Sequence, residues 1–406
     1  MIRWIALCGL AVLILTVPLR AADDCSEVQL QRASTIVKGN RAQLLGDAVE
    51  EMDTGVPSAV QLQIENMKDS LAKFVDLYMM CHPTNVADAG GLERDLAKQL
   101  DANEPRPASS SREYGQENQQ VYGAGLTLIA KKPEGAPGLI AVEVSFGIMC
   151  GKDTMLLIYA WQDGKWRQIL RWQSGRYPRV SGAFGDFFEY VVITSPVSNV
   201  PLVAVAHGRP WCTSGWSEFD LDVIKTARND AQQQALLHRE ESYNRTVDRA
   251  AVLLKTPHGF QLRVEDMSLD FVHLFVEPVI YNYLVAGDTV RRVQPVAVNG
   301  RDFVDVWLKS DWAEASEWSA KDNVANLKKG HARFEALQNA ANGSTVSFGA
   351  VRSCAKDPTR FQVELDEDSG SSIYYQIREG QDSFTMLSAS TRSDPGCASA
   401  DLMGRN

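Results

Sequence analysis

Cysteine placement is the tightest constraint on this chain. Seven cysteines occur, and the first, Cys8, lies in an N-terminal segment that sets Arg3 ahead of a short apolar run and Ala21-Ala22 ahead of Asp23-Asp24. That is the layout of a secretory signal, and the run is shorter than the roughly 20 apolar residues a membrane-crossing helix needs. Removal of residues 1–22 leaves an even set: Cys25, Cys81, Cys150, Cys212, Cys354 and Cys397. An even count in an exported chain reads as a disulfide framework. Each successive pair falls inside one compositional block, which predicts bridges Cys25 to Cys81, Cys150 to Cys212, and Cys354 to Cys397. A secreted or periplasmic protein follows, with no membrane insertion after signal cleavage.

Charge narrows the partners. The formal net charge of -10 grows more negative by two once Arg3 and Arg20 leave with the signal. An acidic balance opposes nucleic acid and anionic lipid, so the expected partner is an unknown protein or glycan ligand. At 406 residues the chain exceeds the size at which a single core keeps growing, and several domains are expected.

Residues 23–100 read as a helical hairpin domain. Val60, Ile64, Met67, Leu71, Phe74, Val75 and Tyr78 recur at three- and four-residue steps and define one helical face over 57–81. Asp53-Thr54-Gly55-Val56-Pro57 supplies the turn before it, and a first helix over 25–52 is weakened at Gly39-Asn40 and Gly46. A short third helix runs from Leu92 to Leu100. The run from Asp101 to Arg112, with two prolines and three consecutive serines, has the composition of a linker, placed at 101–119.

Residues 120–310 form a central antiparallel β domain. Short β-branched or aromatic runs at 125–131, 139–146, 155–162, 165–172, 190–195, 202–207 and 218–224 alternate with Gly, Pro, Asn and Asp. Asp163-Gly164 is a two-residue hairpin turn that pairs Gln162 with Lys165. An unbroken register then gathers Trp161, Trp166, Tyr159, Leu157, Leu170, Met155 and Trp172 on one face, and sets Lys165, Arg167 and Arg171 on the other with Leu156, Ile158, Ala160 and Ile169. The polar stretch 227–250 reads as an exposed helix or long excursion. Strands resume at 259–264, 269–276, 279–284 and 290–298, and helices are predicted at 303–308, 312–318 and 324–338, the last two within a helical segment over 311–342. Residues 343–406 read as a small β unit closed by its own disulfide. The fold class is α+β: an N-terminal helical hairpin, a central antiparallel β domain (meander, sandwich or partial propeller-like) and a small C-terminal strand-rich unit.

Chemistry is concentrated between His207 and Asp222. Cys212 with His207 as base would make a thiolate nucleophile, but the even cysteine count assigns Cys212 to a disulfide. Ser214 lacks the nucleophile-elbow context of a serine hydrolase. His207, Arg209, Trp211, Ser214 and Trp216 remain as a binding surface. Glu218, Asp220 and Asp222 alternate along a strand and so share one face. Three such carboxylates suit a hard cation or the acid/base pair of glycoside hydrolysis, and equally the solvated side of a sheet. The acidic loop Asp366-Glu367-Asp368-Ser369-Gly370 departs from the EF-hand pattern and reads as a turn. Met79-Met80-Cys81-His82 offers soft ligands of the kind copper prefers, yet Cys81 is assigned to a bridge. No phosphate-binding loop, dinucleotide fingerprint or zinc-spaced histidine pair occurs, and neither cofactor nor metal is expected. Asn244-Arg245-Thr246 and Asn342-Gly343-Ser344 are glycosylation sequons if the chain passes through a eukaryotic secretory route.

Two functions fit. The first is an exported, disulfide-stapled binding or interaction protein without catalysis. The second is a secreted hydrolase acting on glycans through the carboxylates at 218–222. A thiol titration of the mature, denatured protein is expected to return no free cysteine; a reactive Cys212 would restore the nucleophile.

Overall fold

Apolar periodicity changes from helical to alternating near residue 125, and the architecture changes with it. A computed structural model describes residues 25–46, 56–83, 88–103, 122–148, 151–175, 187–194, 199–209, 216–227, 232–244, 251–270, 276–338, 346–367 and 370–404. Helices α1 (Glu27–Gly46), α2 (Ser58–Cys81) and α3 (Ala89–Leu100) precede four antiparallel sheets of four strands each. Among the described residues no helix is long and apolar enough to cross a membrane.

The face predicted for α2 is the buried one: Val60, Ile64, Met67, Leu71, Phe74, Val75 and Tyr78 all lie in the core. Helix α1 runs unbroken through the weak point at Gly39-Asn40. Asn40 explains this, because its side-chain amide donates to the Asn66 carbonyl at 3.2 Å and to Ser70 Oγ at 3.0 Å on α2. The Cys25–Cys81 bridge closes the open end of the pair. Cys354–Cys397 is also formed, whereas Cys150 and Cys212 lie outside the described residues.

The first sheet comprises β1 (Thr127–Lys131), β2 (Leu139–Ile148), β3 (Gly151–Gln162) and β4 (Lys165–Gln173). One face takes the helices, sharing a core of Leu30, Phe74, Leu96, Val142, Leu157 and Tyr159. Buried Lys68 of α2 crosses this interface to Asp153 at 3.3 Å and to the Ser174 carbonyl at 3.1 Å.

The Asp163-Gly164 hairpin has the predicted turn, with φ of 51° and 79°, and the predicted pairs Gln162 with Lys165 and Trp161 with Trp166. The unbroken register, however, is corrected four residues further on. Tyr159 pairs with Gln168 but Ile158 with Leu170, so Ile169 is an extra residue. Such a bulge moves everything beyond it to the opposite face. Trp172 therefore pairs with Leu156 and packs away from the helices, while Arg171 turns toward α2 and binds Asp69 at 2.5 Å. Trp161, at the tip, is 45% exposed.

The second sheet, β5 (Phe188–Thr194), β6 (Pro201–Gly208), β7 (Trp216–Lys225) and β8 (Gln234–Asn244), is covered on both sides. Val203 and Val205 pack with Trp172, Leu156 and Ile158 of the first sheet. Leu202, Ala204, Phe219 and Leu221 face the third sheet. Strand β8 replaces the excursion expected at 227–250, and β9 (Val252–Thr256) was not expected at all. The third sheet continues with β10 (Gly259–Met267), β11 (Val276–Ala286) and β12 (Thr289–Val293). Ser268, Leu269 and Asp270 leave the strand, so the run predicted at 269–276 does not continue β10, and 271–275 lie outside the described residues.

Helices α4 (Gly300–Lys309), α5 (Trp312–Glu317) and α6 (Val324–Gln338) follow. Phe303, Val304, Trp307 and Leu308 of α4 join the third sheet to the fourth, β13 (Val346–Cys354), β14 (Asp357–Glu367), β15 (Ser372–Glu379) and β16 (Phe384–Ser390), in one core. The C-terminal segment covers the β13 edge, with the Leu402 amide donating to the Val351 carbonyl at 2.9 Å.

Trp172 tests the bulge. Its Nε1 donates to Asp222 Oδ2 at 2.8 Å while its ring fills the space between two sheets. Trp172→Ala is expected to lower stability by about 3–5 kcal/mol, and Trp172→Phe, which keeps the ring and loses the hydrogen bond, by about 1–2 kcal/mol, both read by chemical denaturation.

Candidate functional site

Strand β8 is polar because both of its faces meet charge. Alternation along β7 sends Glu218, Asp220 and Asp222 to one face, as expected, and pairing sets Glu240 opposite Asp220 and His238 opposite Asp222. The other parity of β8, Arg239 and Glu241, turns toward the third sheet.

On the first face the carboxylates are already partnered. Arg209 grips Asp220 with Nε at 3.0 Å and Nη2 at 2.6 Å, reaches Glu218 at 2.9 Å and Glu240 at 2.6 Å. Asp222 accepts from Trp172 Nε1 and, at 2.8 Å, from His238 Nδ1. The hydrogen bond to Asp222 raises the His238 pKa, and the guanidinium of Arg209 lowers that of Glu240. Asp220, His238 and Glu240 bring one ligand atom each within 4.8 Å of one another, a spacing open to a metal ion. The Arg209 guanidinium, however, lies on two of the three.

The remaining predicted binding residues divide. His207 is 4% exposed, edge-on to Trp172 with ring centroids 5.5 Å apart, so it belongs to the packing between the first and second sheets. Trp211 and Ser214 lie outside the described residues, and Trp216 begins β7. Elsewhere, Met79 is buried and Cys81 bridged, leaving Met80 exposed and His82 against Tyr78. Asp366 and Glu367 end β14 and accept from Ser372 and Ser371 across the hairpin at 2.6 Å each; Asp368 and Ser369 are outside the described residues.

On the other face a cleft of about 540 Å³ opens between β8, β10, β11 and the corner joining α4 to α5, and its lining reaches round to Glu218 and Glu240. None of its inner residues was singled out in the sequence. Arg239 binds Glu314 and approaches Glu241 at 3.4 Å. Arg292, nearly buried, approaches Glu241 at 3.6 Å and Glu314 at 3.7 Å and donates to Ser310 Oγ at 3.0 Å. Its guanidinium carbon lies 5.0 Å from the Tyr281 ring centroid and 5.5 Å from that of Trp318, so aromatic faces supply part of the solvation it has lost. Deeper, Lys309 Nζ meets Asp305 at 2.8 Å, Glu277 at 3.1 Å and Asp266 at 3.4 Å and donates to the Met267 carbonyl at 2.7 Å.

Burial sets the electrostatics here. It raises the pKa of Glu241 against the opposing pull of Arg292 and Arg239, and raises that of Glu277 well above the ordinary carboxyl value, aided by the charge of Asp305. Tyr283 is pushed to about 12, again chiefly by burial. Asp302, on the core side of α4, is raised to about 6 by burial. For Lys309 burial works the other way, but Asp305, Glu277 and Asp266 outweigh it and hold the pKa above its ordinary value.

The missed residues had a signal. His238-Arg239-Glu240-Glu241 sits inside Leu236 to Tyr243, a strand-length window with charge of both signs on each parity. An exposed strand face needs only one such parity.

No family model matches the sequence, and no curated protein does. Among solved structures, the α-L-arabinanase of Penicillium chrysogenum complexed with arabinobiose aligns at 10% identity with a TM-score of 0.25. The alignment covers 66% of this chain and 62% of the arabinanase, so this chain spans less than two thirds of that structure's length.

The raised carboxyls carry a stability sign. For Asp302 the folded state holds a proton that the unfolded chain, with a value of 3.8, has released. Its contribution is complete below 3.8 and is lost as pH rises through about 6. That is on the order of 3 kcal/mol at about 1.4 kcal/mol per pH unit. Glu241 and Glu277 act in the same direction. Stability measured by denaturation is therefore expected to fall as pH rises from about 4 to about 6, and Asp302→Asn to flatten that fall.

Proposed function

We propose that this chain is an exported, disulfide-stapled binding protein that takes a small, neutral, polyhydroxylated ligand of the glycan class into the cleft beside β8. Export is supported by the signal-like N-terminal segment and by the two formed disulfides, which reducing compartments disfavour.

One observation carries the ligand class. Guanidinium and carboxylate groups alternate along the cleft, Glu241, Arg239, Glu314 and Arg292 each meeting a partner of opposite sign. A hydroxyl group both donates and accepts, so it can join such a row without disturbing its charge balance. Carboxylates also outnumber cations in the lining, which repels phosphate esters and other anions.

Glycan hydrolysis is the second reading. Its acid would be Glu241, whose pKa burial raises, while Asp220 and Asp222 are held by Arg209, Trp172 and His238. Release of reducing sugar from polysaccharides, lost in Glu241→Gln, would favour it over binding.

The proposal is tested by calorimetry and thermal shift against neutral mono- and oligosaccharides, with sugar phosphates and dicarboxylates beside them. A neutral saccharide is expected to bind, and Arg239→Ala to weaken it about 10- to 100-fold, the loss of one or more charge-assisted hydrogen bonds. Preference for the anions, or saccharide binding unchanged in Arg239→Ala, would overturn it.

A further inference from the structure

Where α4 meets β10 and β11, three carboxylates converge on one ammonium. Lys309 Nζ stands 2.8 Å from Asp305 Oδ2, 3.1 Å from Glu277 Oε1 and 3.4 Å from Asp266 Oδ2. The side chains of Glu277 and Asp305 have no exposed surface, and that of Asp266 is 11% exposed. Two carboxyls without exposed surface, Glu277 and Asp305, thus share one ammonium, and a proton held on one of them relieves their mutual repulsion.

Hydrogen bonding decides which. Asp305 Oδ1 accepts from the Leu269 amide at 2.7 Å and from Ser268 Oγ at 3.0 Å, in addition to its contact with Lys309. Glu277 Oε1 accepts from Lys309 at 3.1 Å, while Glu277 Oε2 and Asp305 Oδ2 are both buried and, the Lys309 ion pair to Asp305 apart, have no donor among the described residues, and the two carboxyls lie within hydrogen-bonding reach of each other. Burial and the charge of Asp305 both favour the protonated form of Glu277, against Lys309.

The other charged groups around the pair do not relieve it. From β8, Arg239 and Glu241 face one another, from β12 Arg292 is shared between Glu241 and Glu314, from β11 itself Tyr281 packs beneath Arg292, and from α4 Asp302 adds a fourth nearby acid, itself 3.6 Å from Arg301. Lys309 is the cation in contact with both Glu277 and Asp305, and it is also part of the cleft wall with Val306 and Ser310.

We infer that Glu277 and Asp305 form a proton latch that pins α4 to β10 and β11. With the proton in place the pair is compensated by Lys309 and the cleft wall is held. Loss of the proton sets two buried carboxylates against each other, loosens α4 and opens the wall, so a ligand is retained in acid and released toward alkaline pH. The ligand half rests on the cleft being the binding site, as proposed above; the motion of α4 does not.

Hydrogen exchange of residues 300–309, followed by mass spectrometry on the full ligand-free chain and corrected for intrinsic base catalysis, tests the latch. Protection is expected to fall with rising pH, by up to about tenfold per pH unit while the one proton is being released. Glu277→Gln, a neutral isostere, should level that profile. Asp305→Asn removes the charge that keeps the proton on Glu277, so it should move the transition to a different pH, and it serves as the second variant should Glu277→Gln not fold. Identical corrected profiles in wild type and Glu277→Gln, or an unmoved transition in Asp305→Asn, would overturn the latch. Calorimetry of a neutral saccharide across the same pH range separates the two ideas. Saccharide binding together with a flat exchange profile sinks the latch and leaves the binding site, pH-independent binding with the exchange result intact sinks the ligand half of the latch, and a blank saccharide panel with the exchange result intact sinks the ligand and leaves the motion of α4.

Discussion

Burial of both faces of the second sheet is the constraint on which the other layers depend. Leu202, Ala204 and Ala206 point one way from β6 and Val203 and Val205 the other, all of them at 0% exposure. A strand buried on both faces needs an apolar layer on each side, and the first and third sheets supply them. The helices then cover the outer face of the first sheet, and α4 with the fourth sheet covers the third. Small residues at Ala204 and Ala206 allow the third sheet to approach, and Phe219 and Tyr281, with ring centroids 5.8 Å apart, fill the remaining space.

Charge gathers at the margin of this stack because β8 leaves it. Strand β7 is apolar toward the third sheet at Phe219, Leu221 and Val223, whereas its neighbour β8 carries Glu241, Arg239 and Leu237 at the paired positions. Apolar packing therefore gives way to ion pairing within one strand spacing. Partly desolvated ion pairs contribute little net stability when compared with apolar packing of similar volume. What they do provide is a set of rigid donors and acceptors, each oriented by a partner on another element: Arg239 by α5, Arg292 by Tyr281 and Trp318, Lys309 by β10 and β11. Preorganised groups of this kind are what a polar binding site requires.

Much of the fold was legible because it rests on local signals. The face of α2, the Asp163-Gly164 turn, the bounds of α6 and the pairings Cys25–Cys81 and Cys354–Cys397 follow from periodicity, turn chemistry and cysteine parity. The errors share one cause, dependence on a partner distant in sequence. Ile169 is an ordinary strand residue, and nothing near it announces a bulge; the bulge is required because Trp172 must reach the second sheet and Arg171 must reach Asp69. Strand β8 was read as an excursion because its polar residues look solvated until Arg209, Glu314 and Arg292 are placed around them.

The candidate site divides along the same line. By itself the sequence determined that Glu218, Asp220 and Asp222 share a face, since a strand alternates with a period of two whatever surrounds it. It also determined the acidic balance and the even number of cysteines left after residue 22. Only the tertiary structure decided that these carboxylates are bound by Arg209, His238 and Trp172, that His207 is buried, and that the open cleft belongs to residues far apart in the chain, at 218, 239–241, 266, 279, 281, 292 and 306–314. Ion pairing and burial are properties of neighbours in space, and no pattern confined to one segment encodes them.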